Sequence, residues 1–294
     1  MAHQCWAALV VDDAGYDTTF WAQFGLSMLV EATSNETTKR ILVDTGLSAE
    51  PLLHNMQILG IDPKSIDFIF LSHCHYDHTG GLVSFLEKTN KGFTVIAHPS
   101  ILRPCYTLKP SLRYIGIVDR NCREIIEKNG GNLFLTRDPI ELMPGVLSTG
   151  EVERKTSFEP RENTFILEDG HLVPDPEADD MSLIVNVKGS GLVILTGCGH
   201  AGIVNIMRQS KKITGIKNII SVIGGLHLRI ASEERLNKTV EELAVVPSIC
   251  VGHCTGFKAM KAISERLGDD FSLLQCGKVL EFSGSEEMNS KWQT

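Results

Sequence analysis

No apolar run in this 294-residue chain approaches the roughly 20 residues that cross a bilayer. Met1-Ala2-His3-Gln4-Cys5 lacks the basic-then-apolar pattern of a secretory leader. Neither a membrane-embedded nor an exported protein is expected. The eight cysteines, at 5, 74, 105, 122, 198, 250, 254 and 276, are scattered, so they are read as reduced thiols of a cytoplasmic protein. Positive charge is in deficit as well: 28 Lys and Arg stand against 36 Asp and Glu, a net charge of −8. Sequence-independent nucleic-acid binding needs the opposite balance and is not expected. A local basic pocket for a small anionic substrate remains compatible with that charge. There is no Gly-x-Ser-x-Gly elbow for a serine nucleophile, and no Gly-rich phosphate loop ahead of a helix is expected. Cys250-x-x-x-Cys254 has no second Cys pair, which argues against a structural zinc knuckle. Low-complexity segments are absent. Hydrophobic residues at 43% and charged residues at 22% are those of an ordinary globular protein.

What is present is concentrated. His73, His75, Asp77 and His78 fall within Ser72-His73-Cys74-His75-Tyr76-Asp77-His78-Thr79-Gly80-Gly81. Imidazole and carboxylate are the usual ligands of zinc, iron and manganese, and no apolar core needs four of them together. The apolar residues 65–71 just upstream read as a buried strand. The ligands therefore begin where that strand ends. His73 and His75 can share one metal, and Asp77 and His78 can face a second. Further along, Leu195-Thr196-Gly197-Cys198-Gly199-His200, Gly224-Gly225-Leu226-His227 and Gly252-His253-Cys254 each end an apolar segment in a histidine. Cys198, His200 and His227 are further candidate ligands. His253 competes with His227 for the last ligand position and is assigned a catalytic role with Asp77. Asp44, after another strand, is placed to orient a metal-bound imidazole. His3, His54, His98 and His171 show no convergent partners.

His-x-His-x-Asp-His, with Ile41-Leu42-Val43-Asp44-Thr45-Gly46 before it and the Cys198-Gly199-His200 segment after it, resembles the metallo-β-lactamase superfamily. Matching pieces run over residues 26–253. The resemblance implies an α/β protein with a four-layer αβ/βα sandwich. It implies two divalent transition-metal ions at the seam, zinc first, with iron or manganese as alternatives. One departure stands out: relatives often carry His-x-x-x-Ser before the strand at 182–185, whereas Ala178 occupies the His position here. His200 is the candidate to supply the missing ligand. Gly150-Glu151-Val152-Glu153-Arg154, Gly224-Gly225-Leu226-His227-Leu228 and Gly252-His253-Cys254-Thr255-Gly256 resemble the branch of 7,8-dihydropterin-6-ylmethyl-4-(β-D-ribofuranosyl)aminobenzene 5′-phosphate synthases.

Strands and helices alternate along both halves, which indicates the α/β class. Helices are expected at 51–59, 82–87, 120–129, 201–212, 233–243 and 259–267. Strands are expected at 7–11, 25–32, 40–44, 93–98, 181–187, 191–195, 218–224 and 244–252. Residues 1–282 read as one unit, with an insertion over the site at about 99–130 and a polar tail at 283–294. The first expectation for function is a dinuclear metallo-hydrolase that attacks a phosphoester, lactone or lactam. The resemblance to the synthase branch implies the second, a pterin-linked transferase that joins a pterin methyl diphosphate to an aryl amine with release of diphosphate, and a non-hydrolytic iron or redox protein on the same fold is the third. The substrate is expected to be a small molecule, and Arg103, Lys109, Arg113 and Arg154 are candidate anion contacts for one that carries phosphate. An oligomer is compatible with all of this.

Overall fold

The computed structural model describes residues 1–15, 17–119 and 121–284. Two seven-stranded mixed sheets form its centre. From edge to edge the first runs Val279–Ser283, Gln4–Val11, Ser27–Ser34, Thr37–Val43, Phe68–Phe70, Thr94–Ala97, Asn132–Leu135. Pairing is antiparallel up to Thr37–Val43 and parallel beyond it. The second runs Phe271–Leu273, Ile249–Gly252, Ile219–Gly225, Gly191–Thr196, Ser182–Val187, Val146–Ser148, Glu141–Met143, with its parallel part first.

Burial explains the layering. The inner faces meet in one apolar cluster, with Leu9, Met28, Val30, Ile41, Val43 and Phe70 from the first sheet. Leu183, Val185, Val193, Leu195 and Ile223 come from the second. On the outside of the first sheet, Leu52 and Met56 of the helix Ala49–Ile58, and Phe85 and Leu86 of Leu82–Thr89, cover Leu42, Ile69 and Val95. Outside the second, the helices Ile203–Thr214, Glu233–Leu243 and Phe257–Leu267 cover Ile194, Val222 and Val251. This is the expected four-layer αβ/βα sandwich. Strands such as Gly191–Thr196 are buried at every position because both of their faces are covered.

Several expectations need correction. The strand read at 65–71 is only Phe68–Phe70, preceded by a 3₁₀ turn at Pro63–Ser65. The one read at 244–252 is Ile249–Gly252, since Val245 is 77% exposed and Pro247 intervenes. Residues 99–130 divide: Cys105–Thr107 and Arg113–Tyr114 join Thr164–Glu168 and His171–Pro174 in a separate four-stranded sheet. The helix Cys122–Lys128 instead leads back into the first sheet through Asn132–Leu135. Ser283 pairs with Gln4 at the end of a strand, so it is no part of a tail. The remainder of the expected tail, 285–294, lies outside the described residues, as does position 120 of the expected helix. Among the described residues no helix is long and apolar enough to cross a membrane.

Candidate metal centre

Five parallel strands deliver the candidate side chains at their carboxyl ends, the position where open α/β sheets collect ligands. Asp44 follows Thr37–Val43, His73 follows Phe68–Phe70, and Cys198 follows Gly191–Thr196. His227 follows Ile219–Gly225 and His253 follows Ile249–Gly252. Asp44, His227 and His253 have φ values of 59, 47 and 50°, left-handed positions that non-glycine residues rarely hold. After His75 the chain turns into the short helix Tyr76–Thr79. Gly80 and Gly81 then pass against the 45–48 turn. A Cβ on either would lie 2.3 Å from the carbonyl oxygen of Leu47 or Thr45.

His73, His75 and His200 form a triangle, their ring centroids 4.7 Å apart on every side. Their ligand atoms lie within 4.8 Å of one another. His73 Nε2 and His200 Nε2 are buried and have no hydrogen-bond partner among the described residues. Their other nitrogens are engaged, His73 Nδ1 with Ser72 Oγ at 2.9 Å and His200 Nδ1 with Glu162 Oε1 at 2.9 Å. These two rings thus each keep one nitrogen free, whereas His75 Nε2 lies 3.8 Å from Cys105 Sγ. His200, the expected substitute for a histidine at position 178, lies beside His73 and His75.

Beside this triangle His78 Nε2 lies 3.2 Å from His253 Nε2 and 3.2 Å from Cys198 Sγ. Asp77 Oδ2 is 3.7 Å from His78 Nε2 and 3.3 Å from His253 Nε2. The far nitrogens are again tied down: His78 Nδ1 to Asp44 Oδ2 at 2.7 Å, and His253 Nδ1 to Asp13 Oδ1 at 3.0 Å. Asp44 also accepts from the backbone N–H and hydroxyl of Ser72. A carboxylate behind an imidazole fixes its tautomer and raises its basicity toward a metal. The buried, unpartnered nitrogens and the oxygen, nitrogen and sulfur donors fit transition-metal ions.

The charge balance differs among the donors. Against the downward pull of burial, Cys105 and Asp77 raise His75 to about 9, and Asp13 and Asp77 hold His253 well above an ordinary histidine, so a metal ion would displace a proton from each. Burial, and then crowding by His78, His75 and His200, drives the His73 pKa well below that of an ordinary histidine. Burial takes His200 down to about 4 although Glu162 pulls the other way. Both are therefore neutral and able to donate a lone pair. Burial works against ionised Asp77 and Glu162, yet their histidine neighbours hold both carboxyls below the usual carboxylate range.

His227, expected as a ligand, and His253, expected as catalytic, are grouped differently by these distances. His253 joins Asp77 and His78. His227 Nε2 meets Glu162 Oε1 at 2.7 Å and forms a donor group with Cys198 and Cys254. Two expected anion contacts are already committed. Arg154 pairs with Glu177 at 2.8 Å and does not line the cavity beside the metal donors. Arg103 is clamped by Asp175 at 2.8 Å and Asp179 at 2.5 Å. Lys109 and Arg113 do line that cavity. Sequence reasoning missed Glu162, in a loop with no patterned neighbours, and passed over Asp13 and Arg229, although each follows a strand end: Asp13 the first expected strand and Arg229 the His227 segment. It also set aside Cys254, whose place directly after His253 was the available signal.

Gly197-Cys198-Gly199-His200-Ala201-Gly202 has Gly-x-Gly-x-x-Gly spacing ahead of a helix, which the expectation of no phosphate loop overlooked. The helix start is nevertheless occupied. Glu159 accepts from Val204 N and Asn205 N at 2.9 and 3.1 Å, and a Cβ on Gly202 would sit 2.3 Å from its carboxyl carbon. A protein carboxylate stands where a phosphate would bind.

An αβ/βα sandwich with His-x-His-x-Asp-His at one strand end and further donors at the facing strand ends defines the class: the chain belongs to the metallo-β-lactamase superfamily. The Metallo-beta-lactamase superfamily model matches residues 21–146. Over 280 residues, 93% of this chain and 95% of the other, it is 45% identical to the 7,8-dihydropterin-6-methyl-4-(beta-D-ribofuranosyl)-aminobenzene-5'-phosphate synthase of Methanocaldococcus jannaschii. That similarity places it, as an enzyme, in the branch of that synthase. The uncharacterized protein MJ0448 of the same organism is 34% identical over 277 residues, 92% of this chain and 98% of that one. Among solved structures, Tm1679, a metal-dependent hydrolase of the β-lactamase superfamily, matches with a TM-score of 0.79 and 28% identity, covering 95% and 99% of the two chains.

Proposed function

We propose that the chain is a pterin-linked transferase, joining a dihydropterin methyl diphosphate to a phosphate-bearing aryl amine. This reading takes precedence over the hydrolase that the metal motif alone suggests. The observation that carries it is the 45% identity to the M. jannaschii synthase across nearly all of both chains. The site is compatible. A cavity of about 300 Å³ opens beside the donors, with His75, Asp77, Cys198, His227 and His253 on its floor. Phe24 and Tyr76, ring centroids 6.4 Å apart, supply flat apolar surface for an aromatic heterocycle. Lys109, Arg113 and Arg229, which also line the cavity, supply positive charge for phosphate.

In the reaction the amine nitrogen bonds to the pterin methylene carbon, the carbon–oxygen bond to diphosphate breaks, and the amine gives up a proton. Divalent ions held by His73, His75 and His200 and by Asp77, His78 and His253 would supply charge neutralisation for the departing diphosphate. The chain's own residues do the remainder. The aromatic pair orients the ring systems, and the cations of the walls hold the aryl phosphate. Burial of the floor keeps water from competing with the amine. Asp44, Asp13 and Glu162 keep the imidazoles in one tautomer throughout.

The test is diphosphate release from the pterin diphosphate by metal-loaded protein, with and without the aryl amine. Release that requires the amine and yields the coupled product supports the transferase. Equal release without amine would return the protein to the hydrolases, a reading favoured by its likeness to Tm1679.

A further inference from the structure

Cys254 follows His253 in the 3₁₀ turn His253–Thr255 and is buried. Its thiol rests over Gly225, where an added Cβ would lie 2.5 Å from Sγ; only glycine leaves room for it. The same sulfur lies 3.5 Å from the carbonyl oxygen of Cys198. Ligand atoms of Cys198, His227 and Cys254 all fall within 4.8 Å of one another. The turn is fixed against the His227 loop, because Leu226 N donates to Thr255 Oγ1 at 3.1 Å. His227 is oriented twice over, by its φ of 47° and by Glu162 Oε1 at 2.7 Å from Nε2. Its Nδ1 is buried with no hydrogen-bond partner among the described residues. Glu162 Oε1 is also the atom that turns His200 toward the three-histidine triangle.

We propose that Cys198, His227 and Cys254 form a further metal position, thiolate-rich and separate from the three-histidine one, that takes a thiophilic divalent cation such as zinc. Two thiolates and one imidazole leave a fourth direction open, the arrangement of a three-ligand zinc site that keeps one place for a substrate atom or water. All three residues border the cavity, so the open direction faces the substrate space. Cys198 Sγ also lies 3.2 Å from His78 Nε2, which makes its sulfur the bridge to the Asp77–His78–His253 group. Soft sulfur donors select differently from the all-imidazole triangle, so the two positions differ in metal preference. This holds whichever reaction the enzyme performs.

Cobalt(II) titration of chelator-stripped, reduced protein tests it, read as the near-ultraviolet sulfur-to-cobalt band. The wild type should show a two-thiolate band. Cys254→Ser and Cys198→Ser should each lose about half of it and the double variant all of it, because only thiolate sulfur gives this transition. His73→Ala, which leaves these three residues intact, should keep it. An unchanged band in Cys254→Ser would overturn the proposal, leaving Cys198 as a lone sulfur ligand. If the serine variants do not fold, zinc X-ray absorption of the wild type decides. Two sulfur neighbours per chain at about 2.3 Å support the site, and one or none refutes it.

Discussion

At the scale of the residue, buried carboxylates behind histidines carry most of the argument. Asp44 accepts from His78 Nδ1, from Ser72 Oγ and from the Ser72 backbone, all from the buried interior. In Asp44→Asn one oxygen can still accept from Ser72, but the amide presents N–H to an imidazole that needs an acceptor. We predict a loss of metal affinity of about 10–100-fold with the fold retained, measured by competition with a chromophoric chelator. Unchanged affinity would make Asp44 a turn residue only. Asp12 behaves in the opposite way. It is buried with no hydrogen-bond partner for Oδ1 among the described residues, and burial raises its carboxyl to about 7. A raised folded-state value means that the stabilising contribution is complete below the unfolded value near 4 and is lost as pH rises through about 7. The loss is on the order of 4 kcal/mol at most. Asp12→Asn should flatten the decline of stability between pH 4 and 7 in denaturant titrations. A wild-type decline of the same slope in the variant would assign it to another group.

Secondary-structure elements explain which parts of the site can be read in the sequence. A strand end followed by ligand-type residues is local information, so His73, His75, Asp77, His78, His200 and His253 could be picked out directly. The partners that orient them are not local. Asp13 meets His253 across 240 positions and Glu162 meets His200 across 38, with no periodic pattern to mark either carboxylate. Arg103 looks free in sequence because Asp175, which immobilises it, comes 72 residues later. The same blindness hid the small sheet, whose outer hairpin, Thr164–Glu168 with His171–Pro174, lies far along the chain from Cys105–Thr107. That sheet and the loop beside it carry Lys109 and Arg113 to the cavity. Replacing both with alanine should weaken a phosphate-bearing ligand more than its dephosphorylated form. The difference should shrink at high salt, because the attraction is Coulombic and screened. Calorimetric titration of the matched pair gives the comparison; equal losses for both ligands would remove these cations from phosphate binding.

On the scale of the whole molecule, the donors straddle the seam of the sandwich. His73, His75, Asp77 and His78 come from the first sheet, and Cys198, His200, His227 and His253 from the second. An ion held between them ties the two sheets together and favours the folded state by mass action. At a free metal concentration ~1,000 times Kd this is worth about 4 kcal/mol per site. We therefore predict that chelation lowers the melting temperature by roughly 10 °C for each site emptied, at about 2–4 °C per kcal/mol for a chain of this size, and that zinc restores it. A melting curve indifferent to chelator would show that the seam holds without metal.

The order in which the chain supplies these groups has a consequence for its birth. The three-histidine triangle is complete once residue 200 has emerged, whereas the partner of His78 arrives 175 positions after it. Closing that longer loop costs more chain entropy and needs the last parallel strands in place. A nascent or refolding chain can therefore acquire an ion at the triangle before the second group exists. In cobalt-supplemented refolding the imidazole-type spectrum should rise before the sulfur band, and simultaneous appearance would mean that the parallel strands of the second sheet form in one event. Metal loading would then report how far assembly has progressed, with the final histidine at position 253 marking completion.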